Sequence, residues 1–181
     1  GWIVRHRLLR RHYFQQQQLG RNARVGINGR GVSTRMGWHI VNGPHVGHWV
    51  MSRTDGGYHA DRSVAIGLEK NGELVAGTVY EMWNGRSVVC HITWDQITPA
   101  YLAAVYDYPY NVANVDKIIG PISSNHTRAL KLVTKMGFSE EARIKDGAPD
   151  GDIVFMTQTP DRCRFLEPRY GQKITSTATS A

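Results

Sequence analysis

The hydrophobic and polar positions between Trp38 and Leu166 fall into short periods that predict a succession of strands and helices. SVAIGLEK (63–70) and ELVAGTVYEM (73–82) read as strands on either side of Asn71-Gly72, the pair that supplies positive φ in a two-residue hairpin turn. WNG (83–85) then turns the chain into RSVVCHITW (86–94), giving a three-stranded antiparallel meander. Thr98-Pro99 predicts an N-cap followed by Pro at the first helical position. The helix it opens (98–107) carries Tyr101, Leu102, Val105 and Tyr106 on one face and is expected to stop before Pro109. VDKIIGPIS (115–123) reads as a short buried strand. In SSNHTRALKLVTKMGF, Ala129, Leu132, Val133 and Met136 recur at helical spacing, with Ser123 and Ser124 as expected caps and Gly137 as terminator. FSEEARIKD (138–146) and DIVFMTQT (152–159) are two last strands joined across APDG, and PDRCRFL (160–166) is a closing turn of helix. WHIVN or VGHWVM, within residues 38–51, supplies a first strand. The order is β-βββ-α-β-α-ββ, an α/β fold built as a mixed sheet with helices packed on it.

Composition narrows the class. No apolar run approaches 18 residues, which excludes a membrane-spanning helix. The opening GWIVRHRLLRR has no continuous apolar stretch, which argues against a secretory signal. Two cysteines, Cys90 and Cys163, without a C-x-x-C pair exclude a disulfide scaffold and a cysteine zinc site and suit a reducing cytoplasm. The net charge is +7, but residues 1–35 contain eight Arg and no acidic residue, so the remainder carries −1. Residues 1–35 therefore read as a basic flexible arm, or as an extension ahead of a start at Met36. Residues 36–168 read as the folded domain and 169–181 as a flexible tail. The arm allows weak, salt-dependent and sequence-blind nucleic-acid contact, although it lacks the interleaved aromatics of a single-strand platform.

The second helix ends in N-x-x-x-A-L-x-L-x-x-K-x-G-F (Asn125 to Phe138), followed by Glu140-Glu141-Ala142-Arg143. With the element order, this resembles the GNAT-family N-acetyltransferases over roughly residues 38–166. DYPYN (107–111) and GDIVFMTQTPDRCRFL look like small acetyltransferase-like proteins of bacteriophages. The resemblance implies acetyl-CoA as cosubstrate and an amine as acceptor. It implies that strand 86–94 pairs with the pantetheine arm through Cys90, Ile92 and Thr93, and that strand 115–123 splays away to open a slot. Gln96, Thr98 and the N-terminus of helix 98–107 would face the pyrophosphate, where free N–H groups and the helix dipole attract anions. Asn125, Arg128 and Lys131 would contact the cofactor from the second helix. Two positions depart from the family pattern. TWDQITPAYLAA keeps Gln96 but lacks the glycines of the phosphate loop, and Asp95 places a negative charge there. The family's frequent general-acid Tyr falls on Val133.

Acetylating an amine needs a base for the ammonium proton and polar groups for the thioester carbonyl. His91, midway along strand 86–94, is the leading base, histidine being the residue that changes charge near neutral pH. Glu81 acts directly, through water, or as a solvated strand end. Cys90 alternates with His91 and so faces the other side of the sheet, which excludes a Cys–His dyad. Tyr80, Tyr106, Tyr108 and Tyr110 offer phenols that give a proton, line a slot or simply pack a helix end. His39, His45, His48 and His59 lack H-x-x-x-H spacing, and GPHVGH reads as turn chemistry, so no metal site is expected. The implied activity is an acyl-CoA-dependent N-acyltransferase. A catalytically inactive binding or assembly protein and a nucleobase-modifying relative remain as alternatives. The segment between the first two strands is short, and no acceptor can be read from it.

Overall fold

Of the two candidates for the first strand, WHIVN forms it and VGHWVM does not. The computed structural model describes residues 37–54 and 56–166, so the arm (1–35) and the tail (169–181) both fall outside the described residues. After β1 (Trp38–Asn42), Pro44 occupies the first turn of helix α1 (Pro44–Met51), with Gly43 at φ 128° as its N-cap. Val46, Val50 and Met51 recur at helical spacing and are buried, which is why this segment winds rather than extends. His45 and His48, expected in a turn, lie on this helix. The linker between the first two strands thus begins with an eight-residue helix.

The Asn71-Gly72 pair turns the chain as its composition predicts. Both residues have positive φ, 54° and 88°, between β2 (Val64–Lys70) and β3 (Glu73–Glu81), which pair antiparallel. Next come β4 (Ser87–Trp94), helix α2 (Pro99–Asp107), β5 (Lys117–Ser123), helix α3 (Thr127–Lys135), β6 (Ser139–Ala148) and β7 (Gly151–Gln158). The sheet order is β1-β2-β3-β4-β5-β7-β6, with β4–β5 the parallel pair in an otherwise antiparallel ladder. The expected element order stands, with α1 added. Two 3₁₀ turns, Pro160–Arg162 and Arg164–Leu166, follow the last strand. No helix among the described residues is long and apolar enough to cross a membrane.

The two faces of the sheet are covered differently. α1 packs Val46, Val50 and Met51 against Val41, Ala65 and Val79 on one face. On the other, α2 and α3 bury Tyr101, Val105, Val133 and Met136 against Ile66, Tyr80, Ile118, Val154 and Met156. Gly137, at φ 99°, ends α3 as expected: its N–H donates to the Thr134 carbonyl and that of Phe138 to the Val133 carbonyl.

Two local expectations change. α2 does not stop before Pro109 but runs into a π-helical turn, Tyr108–Val112, in which Ala113 N–H donates to the Tyr108 carbonyl. Pro109 has no N–H for the Val105 carbonyl, and the Tyr80 hydroxyl donates to that carbonyl instead, at 2.8 Å. Ser123 and Ser124 do not cap α3, whose N-cap is His126. The Ser123 hydroxyl donates to Asp150 and the Ser124 hydroxyl accepts from Asp152 N–H, so both bind the β6–β7 turn region.

The close seat of α1 generates a prediction. A Cβ on Gly77 would lie 2.4 Å from Val50 Cγ2. Gly77→Ala should therefore destabilise the protein by about 1–3 kcal/mol through overpacking, read as a lower urea midpoint at unchanged slope; an unchanged midpoint would show that α1 is not seated on β3.

Candidate active site

β4 and β5 share only three paired positions. Ser87, Val88 and Val89 face Lys117, Ile118 and Ile119, yet β4 runs on to Trp94 and β5 to Ser123. Beyond Val89 the strands part. On their outer sides both remain paired, β4 with β3 as far as Trp94 and β5 with β7 as far as Ser123. The gap is therefore a wedge held from both outer sides, and along its β4 side the backbone groups of Cys90 to Thr93 that point away from β3 have no strand partner among the described residues. Such groups need an external partner. Pro121 lies in the parted half of β5, where its missing N–H costs no ladder bond on the side facing β4.

His91 stands at the start of this wedge. Its partner across the ladder is Val79, which is packed under α1, so the His91 side chain emerges on the α1 face. Glu81, two residues beyond Val79 at the end of β3, projects from that same face. His91 Nε2 donates to Glu81 Oε1 at 2.9 Å, with 24% and 20% of the two side chains exposed. A carboxylate only accepts, so in the tautomer that makes this bond Nε2 carries the proton and Nδ1 is the acceptor nitrogen. The contact orients the imidazole ring, and a carboxylate so placed can stabilise an imidazolium. The two predicted catalytic residues are brought together.

Cys90 lies on the opposite face, half-buried among tyrosines, and burial pushes its thiol up to about 12, so it is neutral at physiological pH. Ile92 shares that face and Thr93 shares the face of His91; both are partly buried on the wedge side of the β3–β4 ladder. Tyr101, which carried no site role in the sequence reading, is a buried anchor. Its hydroxyl donates to the Ile66 carbonyl and exchanges a hydrogen bond with Thr78, while burial raises its pKa.

The β4–α2 loop is closed by side chains and backbone alike. Thr98 Oγ1 accepts the Tyr101 N–H at 3.2 Å, as its cap position predicts. The N–H groups of Asp95 and Gln96 both point to the Val75 carbonyl, and Pro99 has none to give. That leaves Ile97, Thr98 and Ala100 as the amides available around the α2 N-terminus. Asp95, the unexpected anion of this loop, is not isolated: Arg53 Nη1 lies 3.1 Å from both its carboxylate oxygens. Lys70 Nζ donates to Gln96 Oε1 at 3.0 Å, adding a second cation to the loop. Neither Arg53 nor Lys70 carried a signal along the sequence, because the contacts span 42 and 26 residues.

On α3 the predicted residues are more dispersed. The Asn125 side-chain amide donates to the Asp150 carbonyl and so holds the β6–β7 turn. Arg128 and Lys131 are exposed, opposite the buried Val133 and Met136. Among the described residues no three His, Cys, Asp or Glu side chains come together as a metal site.

No protein-family model matches the chain, and no curated protein matches its sequence. Solved structures do match in shape. Mutant forms of the spermidine/spermine N-acetyltransferase SpeG from Vibrio cholerae align at 13% identity over 69% of this chain and 96% of theirs, with a TM-score of 0.58. The same enzyme in complex with manganese ions aligns at 13% identity over 68% of this chain and 92% of its own, with a TM-score of 0.57. A chimera of the Vibrio cholerae enzyme and hSSAT aligns at 16% identity over 65% and 77%, with a TM-score of 0.51. At such identities the likeness is one of fold, and with the parted β4–β5 pair it gives this chain the mixed-sheet GNAT fold.

Proposed function

We propose that the protein is an acyl-CoA-dependent N-acyltransferase that moves an acetyl group from acetyl-CoA to an amine. The observation that carries this reading is the His91–Glu81 pair at the point where β4 leaves β5. A base is useful for this chemistry only beside a place where an extended acyl donor can lie, and here the two coincide. Backbone groups of Cys90 to Thr93 on the open edge suit the amides of a pantetheine arm, as a further strand would. An N–H on that edge can also polarise a thioester carbonyl.

Acyl-CoA supplies the activated acyl group. His91 Nδ1 takes the proton that the amine sheds as its nitrogen bonds to the acyl carbon, and Glu81 holds the ring and balances its charge. Arg53 and Lys70 offset Asp95 at the mouth of the wedge. At an effective dielectric of about 20, an unpaired carboxylate 4 Å from a phosphate would cost about 4 kcal/mol, so this pairing decides whether the loop tolerates a phosphate. The acceptor reaches His91 from the α1 face. Spermidine, the substrate in the names of the structural neighbours, is a reasonable first amine to test.

One observation favours a second reading, a GNAT-like protein that binds a partner without turnover. The loop amides of Asp95 and Gln96 are already committed to Val75, which thins the phosphate grip.

Titration calorimetry separates the two. Acetyl-CoA should bind with measurable heat and raise Tm, and absence of both at millimolar ligand removes the acyltransferase reading. With spermidine or another primary amine as acceptor, His91→Ala should keep acetyl-CoA binding and lose roughly 100-fold or more in kcat. Glu81→Gln, which keeps an acceptor for Nε2–H but not the charge, should lose less. Unchanged turnover in His91→Ala would remove the base assignment.

A further inference from the structure

The face of the sheet that bears His91 is covered unevenly. α1 packs over β1 to β4. The same face continues across β5, β7 and β6, and the register sets apolar side chains on it in pairs. Val89 stands beside Ile119, Pro121 beside Phe155 and Ile144 beside Ile153. Their neighbours along the strands, Val88, Ile118, Val154 and Met156, point the other way and are buried in the core under α2 and α3. None of the six joins either hydrophobic core among the described residues, and all are partly exposed, Ile144 at 51%. Antiparallel strands with one face toward water ordinarily alternate apolar inside with polar outside. In their middle positions β5 and β7 instead carry apolar side chains on both faces, and a contiguous exposed patch of that kind marks a surface that binds something.

The patch begins where the proposed base stands. On one side His91 has Val79, which α1 roofs over; on the other, two positions past the Val89–Ile119 pair, Pro121 and then Phe155 lie across the wedge. An amine nitrogen held at the His91 ring is therefore barred from the α1 side, and the open direction for the rest of the molecule runs over Val89, Ile119, Pro121 and Phe155. The charges along this route are engaged. Glu81 accepts from His91, and Glu141 accepts from both Lys117 and Thr157. Asp150, beyond the far end of β5, holds the Ser123 hydroxyl. The floor itself offers no carboxylate to a second ammonium, and the Phe155 ring offers a face or edge to another ring.

We propose that this half of the sheet receives the acyl acceptor, and that the acceptor is an amine on a flat apolar body, an arylalkylamine in chemical class. This rests on the acyltransferase reading and adds to it the kind of amine. The apolar floor also favours the uncharged, nucleophilic form of the amine, because desolvation disfavours an ammonium. In the transfer the nitrogen–acyl bond forms and the carbon–sulfur bond breaks with its electron pair on sulfur. His91 takes the proton shed by nitrogen, and the thiolate takes one from water.

The test measures kcat/KM with acetyl-CoA as donor and three acceptors: phenethylamine, ethylamine, which is the same amine without the ring, and spermidine. Phenethylamine should exceed both others by roughly 10-fold or more. Ile119→Thr and Phe155→Thr, which keep strand-forming residues, should each lower the phenethylamine-to-ethylamine ratio roughly 10-fold; damage to the fold alone would lower both amines alike and reduce Tm. Where a variant melts early, the wild-type ratio decides. Spermidine or ethylamine used as well as phenethylamine would overturn the inference, as would a protein that binds acetyl-CoA yet never acetylates phenethylamine. A dimer in sedimentation that Ile144→Lys dissociates, with the amine ratio unchanged, would give the face to a second copy and overturn it too. Failure to bind acetyl-CoA at all removes the acyltransferase reading and this inference with it.

Discussion

The structure depends on the parting of β4 from β5. Two parallel strands in one sheet ordinarily satisfy each other's backbone along their shared length, and here they do so for three positions only. The remaining polar edge is held open because β3 and β7 grip the outer sides of both strands. Closing the wedge would mean breaking one of those ladders or moving half the sheet. An unpaired strand edge of this kind suits something extended that carries amides, as the proposed function requires. This constraint gives the side chains around it their meaning.

Alternation along β4 then divides the chemistry. His91 points to the α1 face and Cys90 to the α2 face, so a group threaded between the strands meets different residues on its two sides. One side offers the polar, partly exposed His91–Glu81 pair and the other a dry cluster of phenols. At the open end lie the Arg53–Asp95 pair and the Lys70–Gln96 contact, which offset the carboxylate of the β4–α2 loop. The distinctive α1 helix contributes here too, since Arg53 follows it by two residues and lies over the Trp49 ring at 4.1 Å.

Much of this was legible along the chain where the cause is local. Asn71-Gly72, Thr98-Pro99 and Gly137 each specify a backbone geometry within a few residues, and each appears where its chemistry demands. His91 and Glu81 were both visible as candidates, but their bond was not, because it joins two strands diagonally across a register no single segment encodes. α1 was missed because eight residues with apolar positions at both helical and alternating spacing fit either structure, and the glycines that admit it, Gly67 and Gly77, lie in other strands. Pro109 was read as a stop because the missing hydrogen bond was counted without Tyr80, which lies 29 residues earlier in the chain and takes its place. Pro121 was the overlooked local signal: proline in a strand that otherwise reads as central marks a free edge.

The central claim is that the open edge of β4 receives the acyl donor. Amide chemical-shift mapping of the isotope-labelled protein during titration with acetyl-CoA tests it most directly. The account predicts that the largest changes fall on Cys90 to Thr93 and on Gly120 to Ser123 across the wedge, with smaller ones at Ile97 to Ala100. Saturable changes confined to other surfaces, with residues 90–93 unmoved, would contradict it.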